Sequence, residues 1–253
     1  MNNIPDIEIE YDDQYNPMVN SPNAPYALPF YMTKDTMIDV EVYKAFLDNA
    51  ISQFRKHGRF YKNYKSYLME LGLDHCQIYS NINEDNVGSR GIEMNHNFLT
   101  IFDIALLITE HVLNTVGYIS TFDLIYLLKL EHRENRVPIV MLSETVHEMY
   151  HQNEDLVFPA QMCFGYWIEL LKRYSRGITP RIAQKVINYI DRSINDNDKL
   201  NSIAINDLLG LKQNIEGWSR YNEYADNRRI GVVNVNNNYS QYYTDNYYLE
   251  DQY

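Results

Sequence analysis

His147 and His151 stand four apart in Ser143-Glu144-Thr145-Val146-His147-Glu148-Met149-Tyr150-His151. On a helix that spacing puts both imidazoles on one face, where the pair can grip a metal ion. His147-Glu148-Met149-Tyr150-His151 also fits the zinc-hydrolase pattern, in which two histidines bind zinc and the intervening glutamate is the general base. A third ligand is then needed, and Glu154 and His132 are the candidates. The plain alternative is a histidine pair packed or hydrogen-bonded at a helix surface.

The elements that must position the pair lie on either side. Val137-Pro138-Ile139-Val140-Met141-Leu142 is apolar and β-branched enough for a short buried strand. Ser143 follows as a helix N-cap, with Glu144 in a first turn that favours an acid. Upstream, Gly91-Ile92-Glu93-Met94-Asn95-His96-Asn97-Phe98-Leu99-Thr100-Ile101-Phe102-Asp103-Ile104 begins strand-like and turns helical. Between them, Phe98 to Val112 carries a helical apolar stripe ending near Gly117. Ser120 with Asp123 forms a capping box that opens a helix from Thr121 to about His132.

These separated blocks, from Ile92 to Tyr174, resemble an HNH-like family of tailed bacteriophages, including the crAss-like gut phages. That family shows Glu-Met-His-His, then Phe-Thr-Leu and Asp-Ile, and later Val-x-Leu-x-Thr-Val-His-Glu-x-x-His. The resemblance implies a strand–strand–helix unit that holds one divalent metal. A strand histidine deprotonates water while the metal stabilises phosphorane-like charge. His96 matches the general base, and His147 and His151 match metal ligands. Asn95 stands where a ligand His or Asp belongs, and an amide oxygen is a poor substitute for imidazole with a borderline metal. The middle Asn of the motif falls near Pro138, and Ser143 and Val146 stand where zinc-stapled members carry cysteines.

The resemblance therefore implies an inherited fold with an incomplete catalytic set. No catalytic residue and no tightly held metal are expected; were activity to persist, His96 would be catalytic and Asn95, His147 and His151 would hold the metal. The function implied is that of a virion structural protein, a ring or connector subunit of a phage neck or tail. The alternatives are an active HNH endonuclease cutting DNA with a divalent metal, and a zinc protease using Glu148. No cofactor is expected beyond a residual divalent ion.

Composition weighs on the same choice. The net charge of −12 repels nucleic acid at long range, which counts against a free-standing nuclease and leaves nucleic acid a disfavoured partner. A local positive cluster, Arg55, Lys56, Arg59, Lys62 and Lys65, is either a solvated face, a contact for acidic arms of partner subunits, or a nucleic-acid surface. Cys76 and Cys163 suggest no disulfide framework and suit a reducing cytoplasm. No leader or bilayer-length apolar run is visible, which predicts a soluble, non-secreted protein made in the host cytoplasm and carried in the virion. The 23 tyrosines suit interfaces, where a large apolar face and a polar tip are both used; coding bias of an AT-rich genome is the other source.

The domain organisation follows. Residues 1–34 form an acidic arm, with Pro5, Pro17, Pro22, Pro25 and Pro29 barring a regular helix. Residues 35–225 form a mainly helical core containing the HNH-like unit at about 90–152. Its further helices run Thr36–His57, Tyr61–Leu71, Phe158–Tyr174, from Thr179-Pro180 to about Asn195, and Ile203 to about Tyr224, interrupted near Gly210 and Gly217. Residues 226–253 form a Tyr- and Asn-rich arm. The fold class is α+β, a helical core around an elaborated ββα unit with extended arms. Both arms suit docking on neighbours: copies of the chain in a homo-oligomeric ring, and other virion proteins. Each is alternatively a disordered end.

Overall fold

The computed structural model describes residues 31–34, 39–56, 59–83, 91–152, 158–195 and 202–226. Most of the N-terminal arm, all but the start of the C-terminal arm, and Glu154 lie outside the described residues. Among those described, eight α-helices surround two small two-stranded sheets, an α+β fold.

The first helix, α1 (Val40–Lys56), buries Tyr43, Phe46, Leu47, Ala50, Ile51 and Phe54 at helical spacing. Helix α2 (Phe60–Glu70) adds Tyr64 and Leu68. The central element is α3 (Ile101–Thr115), which is buried nearly all round and so must be covered on every side. Its start is set by a reciprocal box: Asp103 N donates to Thr100 Oγ1 at 3.2 Å, and Thr100 N donates to Asp103 Oδ2 at 3.0 Å. Sequence inspection did not single out this cap. Asp103 is fully buried, and Lys185 at 2.6 Å and Arg181 at 3.6 Å hold its carboxyl below the usual range against the opposing effect of burial.

Helix α4 (Thr121–Arg133) begins at the expected Ser120 and Asp123 box. Strand β1 (Tyr31–Thr33) pairs antiparallel with β3 (Tyr118–Ser120), Met32 lying opposite Ile119 with both fully buried. The arm therefore ends as a strand of the body rather than continuing to residue 34.

The second sheet joins β2 (Ile92–His96) to β4 (Ile139–Ser143), with Ile92 opposite Ser143 and His96 opposite Ile139. Every residue of β4 is buried, as its unbroken apolar run requires. Helix α5 (Glu144–Gln152) follows directly and packs on both strands. The expected strand–strand–helix arrangement is thus present, with α3, β3 and α4 inserted between its strands.

Past α5 the expected helix over Phe158–Tyr174 is broken. A 3₁₀ turn at Ala160–Met162 leads to Phe164, which bridges to Ile139, and only Trp167–Arg173 forms a helix, α6. Gly165 makes the turn between them at φ +107°, and a Cβ there would meet the Val137 carbonyl oxygen at 2.2 Å. The bridge to β4 competes with helix formation and wins, because it closes the sheet edge. Helix α7 (Pro180–Asn195) starts as expected, with Ile182 N donating to Thr179 Oγ1 at 3.3 Å. Helix α8 (Ser202–Asp226) runs on through Gly210 and Gly217 without interruption. Its packing on α7, with Leu208, Leu211 and Ile215 buried, outweighs the roughly 1 kcal/mol that each glycine costs.

Candidate functional site

Alternation along β2 decides which side chains meet. Successive strand residues face opposite sides of a sheet, so Glu93 and Asn95 share one face and Met94 and His96 the other. Helix α5 covers the first face and brings His147 to it. His147 Nδ1 contacts Glu93 Oε2, and His147 Nε2 lies 3.2 Å from Asn95 Oδ1 and 2.8 Å from His151 Nε2. The two imidazole rings meet edge to face at 4.5 Å. Tyr150 pins the same helix by donating its hydroxyl to the Asn97 carbonyl at 3.2 Å and stacking on Phe158.

Glu93 offers an acceptor to His147, Asn95 an amide and His151 a second ring nitrogen. His147 thus meets a carboxylate at Nδ1 and both an amide and a second imidazole at Nε2. The cluster is a side-chain clamp between helix and sheet. Hydrogen bonding to His147 holds the Glu93 carboxyl below its usual range, aided by the charges of His147 and Lys65. Burial, and then the neighbouring His147, push His151 down to about 4.

Glu93 was not among the residues singled out by sequence inspection. The signal was its place two residues before Asn95, on the strand face that a following helix must cover.

His96 sits elsewhere. It is 6% exposed, and its Nε2 lies 3.1 Å from His132 Nε2. His132 Nδ1 donates to the Leu128 carbonyl at 2.7 Å, so His132 accepts at Nε2 and His96 donates to it. Phe54, Phe60 and Tyr64 ring His132, and Tyr61 stacks on His96. Burial lowers both histidines, His132 to about 4 and His96 well below its usual value, with His132 and Arg55 adding to the effect on His96.

The structure therefore gathers Asn95, His147 and His151 and adds Glu93, while His96 and His132 form a second, interior pair. His132 does not join the His147 and His151 pair as a third ligand. Glu148 is half-buried and makes no hydrogen bond or ion pair among the described residues.

The divalent metal that the HNH-like resemblance implies would be held by His147, His151 and Asn95, a set in which one donor is an amide. Among the described residues no three His, Cys, Asp or Glu side chains form a metal-holding group. Glu93 meets His147 at Nδ1, the side of the ring away from Asn95 and His151.

Fold and site together define a mainly helical α+β protein whose strand–strand–helix unit ends in a side-chain clamp, and comparison with known families gives the class as protein components of bacteriophage particles. The chain matches the bacteriophage G278-like virion proteins over residues 1–217 and belongs to that family. No curated protein and no solved structure matches it. It is thus a virion protein, located in the phage particle. No helix among the described residues is long and apolar enough to cross a membrane.

Proposed function

We propose that this chain is an oligomeric structural subunit of the particle, a ring or connector protein of the neck or tail, built on an HNH-like scaffold that has lost catalysis. The observation that carries the loss of catalysis is the burial of His96 against His132 together with the amide at Asn95. A hydrolytic centre needs its base within hydrogen-bond reach of a water that also meets the metal. Here the candidate base His96 is buried against His132, while His147 and His151 face the other side against Asn95 and Glu93.

The structural role rests on family membership together with the two arms. An acidic, proline-punctuated N-terminus and a tyrosine-rich C-terminus flank a body with its own core. Neither arm has enough aliphatic surface to offset the entropy of ordering it alone, so both suit neighbours. Electron microscopy of particles carrying a tagged copy tests the reading. Symmetric tagged density at the neck or tail is expected; a single copy per particle, or label outside those regions, would overturn it.

A further inference from the structure

Residues 55–65 hold Arg55, Lys56, Arg59, Lys62 and Lys65 and no acid, in a chain whose net charge is −12. The fold concentrates them where α1 ends and α2 begins. Lys56, Arg59 and Lys62 are exposed, and Arg59 and Lys62 make no ion pair among the described residues. Arg59 is the residue that precedes α2 and Lys62 lies in its first turn, so both cations stand at the same end of that helix. Arg133, exposed at the end of α4, lies over the Phe60 ring at 5.6 Å and extends the positive surface across to that helix. Such a surface, with half-buried Phe60 beside its cations, fits an extended segment bearing both carboxylates and apolar side chains.

The chain contains one such segment. Asp6-Ile7-Glu8-Ile9-Glu10-Tyr11-Asp12-Asp13 alternates acid with apolar residue, and residues 1–33 contain no Lys or Arg. In extended backbone Asp6, Glu8, Glu10 and Asp12 fall on one side, about 6.6 Å apart, and Ile7, Ile9 and Tyr11 on the other. Seventeen residues, four of them proline, separate Asp13 from the anchored strand at Tyr31. A proline-rich spacer of that length extends about 50 Å, more than the roughly 40 Å width of a body this size.

We propose that the acidic segment Asp6–Asp13 of one copy docks on the Arg59 and Lys62 surface of a second copy. This rests on the oligomeric reading above and names one of its interfaces. The acids lie against the α2 cations and the isoleucines against the aromatic margin. Nucleic acid, the other polyanion such a surface could take, is disfavoured by the charge of the rest of the chain.

The test uses the full chain and sedimentation equilibrium. Arg59→Glu with Lys62→Glu is expected to weaken self-association about tenfold, and Glu8→Lys with Glu10→Lys to do the same. The chain carrying all four reversals should associate again, which also rules out simple misfolding. Carbodiimide cross-linking of mixed ¹⁴N and ¹⁵N copies should join Lys62 to the acidic segment of the other isotope. Self-association that ignores the reversals, cross-links confined to one copy, or loss of binding to a short DNA duplex as the sole effect of Arg59→Glu with Lys62→Glu would each overturn the proposal while leaving the oligomer standing. A full-length chain that is monomeric at every concentration would overturn both readings.

Discussion

The Nε2 atoms of His96 and His132 lie 3.1 Å apart inside the body, 36 residues apart in the chain. One ring donates and the other accepts, so the pair is satisfied only while both are neutral, and protonation of either would bury a charge among aromatic rings.

A pH dependence of stability follows. Both histidines have folded-state values below that of an exposed histidine, about 4 for His132. Above about pH 6.5 the folded and unfolded chains hold the same protons at these sites. As pH falls below that, the unfolded chain binds protons that the folded chain refuses, and stability is lost down to the folded value. His132 alone should cost about 1–3 kcal/mol between pH 7 and pH 5. Urea denaturation at pH 7, 6 and 5 checks this; a midpoint that stays constant would contradict it.

Metal content is the second expectation. With Glu93 bound to His147 and an amide at Asn95, chelator-washed protein should carry no stoichiometric zinc or nickel, and His147→Ala should leave the content unchanged. Elemental analysis decides; stoichiometric metal lost on His147→Ala would restore both enzyme readings.

Catalysis is the third. Full-length protein with magnesium or manganese should leave supercoiled plasmid intact. Nicking that disappears in His96→Ala would show that the buried histidine reaches a reacting water.

The fourth concerns packing. Gly177 lies so close to α3 that an added Cβ would meet the Leu107 carbonyl oxygen at 1.9 Å. Gly177→Ala must push the 3₁₀ turn at Ser175–Gly177 off the central helix and should lower stability by about 1–3 kcal/mol. Thermal unfolding measures this, and an unchanged Tm would contradict it.

The fifth concerns the tyrosine-rich end. Deleting residues 236–253 should leave the far-ultraviolet circular dichroism of the body intact and weaken assembly, since Tyr242, Tyr243, Tyr247 and Tyr248 are then absent from any partner groove. Normal entry of the truncated chain into particles would refute it.

The sequence by itself determined the features that depend on near neighbours. Ser120 and Asp123 set the start of α4, Thr179 and Pro180 that of α7, and the apolar run before Ser143 gave a buried strand followed at once by a helix. The four-residue spacing of His147 and His151 was enough to place them side by side. These rules act within a turn or two of backbone, and local chemistry carries them.

Only the tertiary structure decided what those side chains face. The Glu93 contact to His147 spans 54 residues, and the pairing of Tyr31 with Ser120 spans 89. No local rule carries such a partnership, because it exists only once distant elements bury their apolar faces together. The same long-range packing broke the chain at Gly165 to pair Phe164 with Ile139, and held α8 straight through Gly210 and Gly217. It also turned His96 inward. A one-residue step along β2 reverses the face, so Asn95 meets the clamp and His96 the core.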